Sequence, residues 1–194
     1  STNTLGHGVY RRQTVGRPDA MNSNVVAGLG THSATMPGLD IEFRGGYEDA
    51  PTNLFYTVQP YYVAGHRYMG AHSFTGTLTT HEFRWAPRQV RYRSWYGHSA
   101  EPPATSAVLA AWTYEGSDIP PDTNEVVRML AWMFNGIAPA SSQELVLADF
   151  AYEATTGTFV SDDFEDGFLS NIWERYNDPG ETRIVESGGK LQVT

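Results

Sequence analysis

Leu39-Asp40-Ile41-Glu42-Phe43 is the run that decides the fold. In an extended chain successive side chains point to opposite faces, so Leu39, Ile41 and Phe43 share one face and Asp40 and Glu42 the other. The apolar face asks for a core. The other face carries two carboxylates with Cα atoms about 6.6–7 Å apart, near the spacing of carboxyl pairs that do acid/base work. Taken alone, the five residues read as a solvent-facing acidic stripe on an antiparallel sheet. Their surroundings shift that reading.

The same short alternation recurs on both sides of the run, bounded by Gly, Pro, Asn and Asp. It predicts strands at Gly8–Gln13, Val25–Leu29, Leu39–Phe43, Asn53–Gln59, Thr77–Trp85, Gln89–Trp95, Ala107–Tyr114, Val126–Phe134, Glu144–Ala154, Arg183–Glu186 and Lys190–Val193. Turn clusters separate them, among them Arg44-Gly45-Gly46, Glu101-Pro102-Pro103 and Ser187-Gly188-Gly189. Helical spacing is confined to one turn over Phe168–Trp173, where Leu169 and Trp173 stand four apart. So many short strands in one chain predict an all-β, two-sheet sandwich.

A length of 194 residues suits a single core, and 40% hydrophobic with 13% aromatic residues excludes a disordered chain. No apolar stretch approaches the roughly 20 residues that span a bilayer, so no membrane span is expected. With 13 Lys+Arg against 22 Asp+Glu, a net charge of -9 and a pI near 5.0, the surface repels phosphates, and nucleic acid is not an expected partner. The absence of Cys removes disulfides, thiol nucleophiles and Cys-ligated metals. His7, His32, His66, His72, His81 and His98 show no H-x-H or HExxH spacing, which argues against a catalytic zinc. Chemistry falls to carboxylates, His, Tyr, Arg and Ser/Thr. Arg91 and Arg93, with Arg88 just before them, read as a solvated outer face.

Gly38-Leu39-Asp40-Ile41-Glu42-Phe43 resembles the Glu-x-Asp-x-Glu signature of glycoside hydrolase family 16, the jelly-roll family of lichenases, laminarinases and agarases. His81-Glu82-Phe83-Arg84-Trp85-Ala86-Pro87 is similar to the family's aromatic-x-x-x-Trp-x-Pro strand, and Ala131-Trp132-Met133-Phe134-Asn135-Gly136 to its Leu-Trp-Asn-Gly segment. Leu147-Ala148-Asp149-Phe150-Ala151-Tyr152 looks like the closing strand, and Leu5-Gly6-His7-Gly8-Val9-Tyr10 like the strand before the signature. The order is shifted: residues 1–154 resemble the middle and end of such a domain. After a linker at 155–160, residues 161–194 resemble its beginning. The resemblance therefore implies a concanavalin A-like β-sandwich (jelly roll), circularly permuted or cut from tandem copies, with Thr194 beside Ser1.

Carried across residue by residue, the resemblance makes Asp40 the assisting carboxylate and Glu42 the acid/base, and leaves Gly38 at the nucleophile position. Glycine cannot form a glycosyl-enzyme ester, so retaining hydrolysis is expected to fail unless another carboxylate such as Asp40 attacks. A tryptophan usual in the family falls on Met36. In register, Phe55, Thr57 and Gln59 on one strand and Leu130, Trp132 and Phe134 on another share the cleft with the acid pair. The alternative places Trp132 and Phe134 in the core, one residue out of register. His81 reads as a packing replacement for an aromatic residue. The family's structural calcium site maps to Asp149, Asp163 and Gly189, and oxygen donors suit that ion.

Three functions follow as expectations. The first is a secreted or cell- or virion-surface module that binds a β-glycan, with weak or no glycosidase activity. The second is an acid/base enzyme acting on an apolar small molecule, with Glu42 as proton donor. The third is a structural or adhesive repeat module. Residues 161–194 are expected to pack into the same sandwich, because Phe164, Leu169, Trp173, Leu191 and Val193 are too apolar to be left in water.

Overall fold

A computed structural model describes residues 4–33, 38–45, 51–123, 125–155, 159–165 and 184–193. In chain order the strands are β1 (Gly8–Val15), β2 (Val25–His32), β3 (Leu39–Arg44), β4 (Leu54–Val58), β5 (Arg67–Gly70), β6 (Leu78–Ala86) and β7 (Gln89–Tyr96). They continue as β8 (Val108–Tyr114), β9 (Val126–Met133), β10 (Leu145–Ala154), β11 (Phe159–Asp162), β12 (Ile184–Glu186) and β13 (Leu191–Val193). No α-helix occurs among the described residues. Every pairing is antiparallel, and the strands form two sheets. One runs β12-β13-β10-β1-β6-β7-β8 with β11 also on β10; the other runs β5-β4-β3-β2-β9. The chain is an all-β sandwich of two sheets, as its alternation predicts, and a jelly roll, as the resemblance implies.

The core lies between the sheets. From β3 it takes Leu39, Ile41 and Phe43, each fully buried, and from β4 Leu54, Tyr56 and Val58. The facing sheet supplies Tyr10, Phe83, Trp85, Val90, Tyr92 and Phe150. Tyr56 stacks on Tyr92 at 5.0 Å, and Tyr10 on Phe83 at 4.6 Å. A polar chain crosses this core: Thr14 to Thr79, Thr79 to His81, His81 to Ser94, and Tyr56 donating to Ser94. His81 packs edge-on against Phe43, both ring nitrogens have partners, and burial drives its pKa down, so it stays neutral. On the outer face Glu82 collects Arg11, Arg84 and Arg93. Those arginines are occupied by a structural ion network.

The tail joins the first sheet. Strand β11 pairs with Phe150–Glu153 and β13 with Leu145–Leu147 along one edge of β10, while β1 takes the other edge. Phe164 and Leu191 lie in the core. Two corrections arise here. Phe159 and Val160, read as linker, belong to β11, a strand too short for its alternation to register. Strand β5, Arg67-Tyr68-Met69-Gly70, was not expected, because its arginine and glycine dilute the β signal. Ser1, Thr194, Met36 and the turn at Phe168–Trp173 lie outside the described residues. Of the described ends, Gly8 sits opposite Ala154 and Val193 opposite Leu145, at the two ends of β10.

Candidate functional site

The five-stranded sheet turns its polar face outward, and its register lays side chains in rows across the strands. One row reads Arg128, Gly30, Asp40, Thr57, Arg67 from β9 to β5. The next reads Leu130, Gly28, Glu42, Phe55, Met69, and a third opens with Trp132, Val26 and Arg44. The acid pair therefore occupies the middle strand, with glycines beside both carboxylates. A Cβ at Gly30 would fall on the Asp40 carboxyl, and one at Gly28 on the Ile41 carbonyl. The glycines of β2 hollow the sheet where the acids stand.

Two adjoining hollows result, sharing Glu42 and Gln59. One, of about 450 Å³, is lined by Glu42, Phe55, Thr57, Gln59, Trp132 and Phe134 together with Val26, Arg44, Tyr61, Arg67 and Asn135. The other, of about 240 Å³, is lined by Asp40, Glu42, Gln59 and Leu130 with Gly30, Thr31, His32 and Arg128. All eight residues assigned to the cleft from the sequence thus line it. Trp132 is 46% exposed, which places it on the cleft wall and not in the core. Gln59 lies just past β4 and Phe134 in the turn after β9, where Asn135 takes φ 56°. The lining arginines, Tyr61 and the two glycines escaped the sequence reading. Alternating Arg reads as solvent face, and Gly in a strand signals only a close approach of unknown partner.

Burial raises the Asp40 carboxyl to about 7, with the charge of Glu42 adding to it and a hydrogen bond from Gln59 opposing it. That bond runs from Gln59 Nε2 to Asp40 Oδ2 at 2.7 Å, while Gln59 Oε1 accepts from the Tyr61 amide at 3.0 Å. Burial also raises Glu42, but Trp132, Arg67 and Arg12 all favour its charged form. Arg12 is fully buried beneath β3, donates to the Ile41 carbonyl between the two acids, and lies 4.9 Å from the Phe43 ring centroid. Its Nε and Nη1 have no hydrogen-bond partner among the described residues, and burial lowers its pKa to about 9, still charged at neutral pH. Burial thus raises both carboxyls, and the arginines that oppose the rise act on Glu42. The sequence resemblance gives the proton-donating role to Glu42, and burial pushes both carboxyls of the pair toward their protonated forms.

The rest of the cleft is held firmly. The Arg44 guanidinium stacks 3.7 Å from the Phe134 ring centroid and donates to the Ser23 carbonyl. The loop bearing Tyr61 is pinned by His66, whose Nδ1 meets the Val58 carbonyl at 3.1 Å and whose Nε2 lies 2.7 Å from Asp118. Thr57 Oγ1 is buried without a hydrogen-bond partner among the described residues, an orphan group on the cleft floor. At Gly38 a Cβ would fall inside the Thr31 carbonyl, so the backbone leaves no room there for a side chain.

The residues mapped to calcium sit on the other sheet. Partial burial raises Asp149, and the nearby charge of Asp163 raises it further, a strain that a hard cation relieves. Gly189 turns with φ 66° against Glu165. Among the described residues no three acidic or histidine side chains converge as a metal cluster.

No family model and no curated protein matches this chain. Solved structures do. A Bacillus licheniformis β-glucanase is 18% identical with a TM-score of 0.48, covering 72% of this chain and 62% of its own. A prokaryotic β-1,3-1,4-glucanase (lichenase) derived from a mouse hindgut metagenome is 16% identical with a TM-score of 0.44, covering 70% and 62%. This chain thus spans less than two thirds of the glucanases it resembles. A Scytalido-glutamic peptidase bound to a peptide-based transition state analog is 10% identical with a TM-score of 0.53, covering 100% of this chain and 94% of its own. The chain shares its fold with that peptidase, and β-glucanases stand among its structural neighbours.

Proposed function

We propose that the protein is a carbohydrate-active sandwich that binds a β-linked glycan across its five-stranded sheet, with little or no retaining glycosidase activity. The observation that carries this reading is the cleft itself: a carboxyl pair on the floor, aromatic walls at Trp132, Phe55 and Tyr61, and an orphan hydroxyl at Thr57. Aromatic faces with a few fixed polar groups are what a sugar ring needs from a pocket. The missing room at Gly38 supports weak or absent retaining hydrolysis, which requires a carboxylate nucleophile. Titration with β-glucan, β-mannan and β-xylan tetramers tests the reading. Trp132→Ala is expected to weaken binding about tenfold, and Glu42→Gln to remove any residual hydrolysis. Absence of binding to every tetramer would sink it. In this reading the module works outside the cell or on a cell or virion surface.

A second reading, hydrolysis of a peptide bond, is favoured by the Gln59 amide resting on Asp40, whose carboxyl burial raises to about 7, beside Glu42. A neutral acid can donate to a leaving nitrogen while the carboxylate orients water. The shared fold with the glutamic peptidase is compatible with it. Cleavage of a peptide library at acid pH, lost in Glu42→Gln, would select this reading over the first.

We further propose that Asp149 and Asp163 hold a structural calcium, which would neutralise their mutual repulsion. Millimolar calcium should raise the melting temperature, by roughly 2–4 °C for each kcal/mol of binding linkage, and Asp163→Asn should abolish the response. A chelator-insensitive melt would exclude the ion.

A further inference from the structure

We propose that His66 and Asp118 are positioning residues for the cleft: a proton-dependent latch, anchored on the opposite sheet, that seats the loop carrying Gln59 and Tyr61. The proposal deepens the glycan reading and rests on it for the ligand. The loop, residues 59–66, joins β4 to β5. Three backbone bonds close it: the Val58 amide to the His66 carbonyl at 2.9 Å, the Val63 amide to the Pro60 carbonyl at 3.2 Å, and the His66 amide to the Val63 carbonyl at 3.1 Å. At its start Gln59 donates to the Asp40 carboxyl, and Gln59 Oε1 accepts from the Tyr61 amide. Tyr61 lines the larger hollow although its ring is more than half exposed, so its place on the wall depends on the loop that bears it. At the far end His66 is buried and turns its ring into the protein.

Counting hydrogens shows what closes the latch. The Val58 carbonyl can only accept, so His66 Nδ1, 3.1 Å away, carries a hydrogen. Nε2 faces two oxygens, Asp118 Oδ2 at 2.7 Å and Tyr114 Oη at 2.9 Å. Tyr114 has a single hydrogen and donates it to Asp118 Oδ1. Burial and the Asp118 carboxylate both raise Tyr114, so the phenol keeps that hydrogen. Two oxygens with their lone pairs thus converge on Nε2, and the contacts close when Nε2 carries a hydrogen as well. The ring is then an imidazolium, and its partner is a half-exposed carboxylate that the Tyr114 hydrogen bond and the His66 charge hold below the ordinary range. Asp118 and Tyr114, from the turn after β8 and from β8 itself, and the Val58 carbonyl of β4 are the groups that face the ring. Arg67, next in the chain, directs its guanidinium toward the rings of Phe55 and Tyr61, 5.8 and 5.6 Å from their centroids. Loss of the Nε2 proton sets a lone pair against the Asp118 carboxylate, and attraction becomes repulsion. Because β8 belongs to the first sheet and His66 to the second, that change releases the loop from the opposite sheet and lets Tyr61 leave the cleft wall.

The experiment uses the full chain and reads the latch first without ligand. Nitrogen NMR of the His66 ring should show hydrogen on both nitrogens at pH 5 and on Nδ1 alone at pH 8.5. Amide exchange at Val58, Val63 and His66, corrected for the intrinsic effect of pH, should be at least about tenfold faster at pH 8.5. Asp118→Asn, whose side-chain amide can donate to a neutral Nε2, should level that difference, and so should His66→Gln, which cannot titrate. Melting curves identify a variant that fails to fold, and the exposed Asp118 site keeps the test open if the buried one does not tolerate change. The β-glucan, β-mannan and β-xylan tetramers are then titrated at both pH values. Between pH 5 and 8.5 the native protein should lose at least about fivefold more affinity than Asp118→Asn, a comparison from which the acids of the cleft cancel. A His66 ring with the same hydrogen count at both pH values, or exchange that Asp118→Asn leaves unchanged, would overturn the latch. Exchange that responds while both proteins lose equal affinity would overturn its role in positioning the cleft. Binding of no tetramer would overturn the glycan reading, and the ring and exchange measurements would then decide the latch on their own.

Discussion

Truncation after Thr155 is expected to leave a chain that no longer melts cooperatively. The tail is part of the first sheet: β11 and β13 occupy most of one edge of β10, and Phe164 and Leu191 are fully buried. Fully burying such side chains is worth roughly 1.5–3 kcal/mol each, against a typical stability of about 5–15 kcal/mol. The truncated protein would also expose the backbone of β10 from Leu145 to Glu153, an open edge beside an opened core, which invites strand pairing between molecules. Calorimetry and size-exclusion chromatography check this. A soluble monomer with a sharp thermal transition would show that residues 1–155 form the folding unit unaided.

Much of the fold was legible because local alternation and burial agree. At Leu39–Phe43 every second residue is apolar and fully buried, and β1 and most of β7 alternate buried with more exposed residues, so the expected strands fall within three residues of the observed ones. Strand order is different in kind. That β9 pairs with β2, and β1 with both β6 and β10, depends on contacts between residues far apart in sequence, which no local pattern encodes. The site divides along the same line. Asp40 and Glu42 share a face by strand geometry alone, and the resemblance brought Phe55, Thr57, Gln59, Leu130, Trp132 and Phe134 to them. Arg128 and Arg67 could be placed only once the register put them in the Asp40 row. Likewise, nothing in Gly28-Leu29-Gly30 says that the absent side chains make room for two carboxylates; the close approach of β3 says it. Arg12 alternates as an inward residue of β1, yet its charge argues for the surface, and only the structure resolves the conflict in favour of burial.

That buried electrostatic arrangement has a cost in stability, and Asp40→Asn should expose it. In the unfolded chain the carboxyl titrates near its ordinary value of about 3.9, whereas burial and Glu42 raise it to about 7 in the fold. Between those values the native state keeps a proton that the unfolded chain has released. Stability contributed by this group is therefore greatest below about pH 4, falls as pH rises, and is fully lost above the folded value. Asparagine keeps the shape and the acceptor for Gln59 Nε2 but cannot ionise. The variant should match the native protein near pH 4 and exceed it by an amount on the order of 4 kcal/mol at pH 8, a rise of roughly 8–16 °C in melting temperature for a domain of this size. Taking the difference between the two proteins at each pH cancels every other titrating group that the substitution leaves alone. Because Asp40 is then always neutral, Glu42 loses its nearest like charge, and any reaction that needs Asp40 as a proton donor stops while the fold becomes more robust. Melting curves at pH 4, 5.5, 7 and 8 decide the matter: parallel curves for the two proteins would mean that Asp40 is ionised at ordinary cost, and that the cleft holds two charges and no proton.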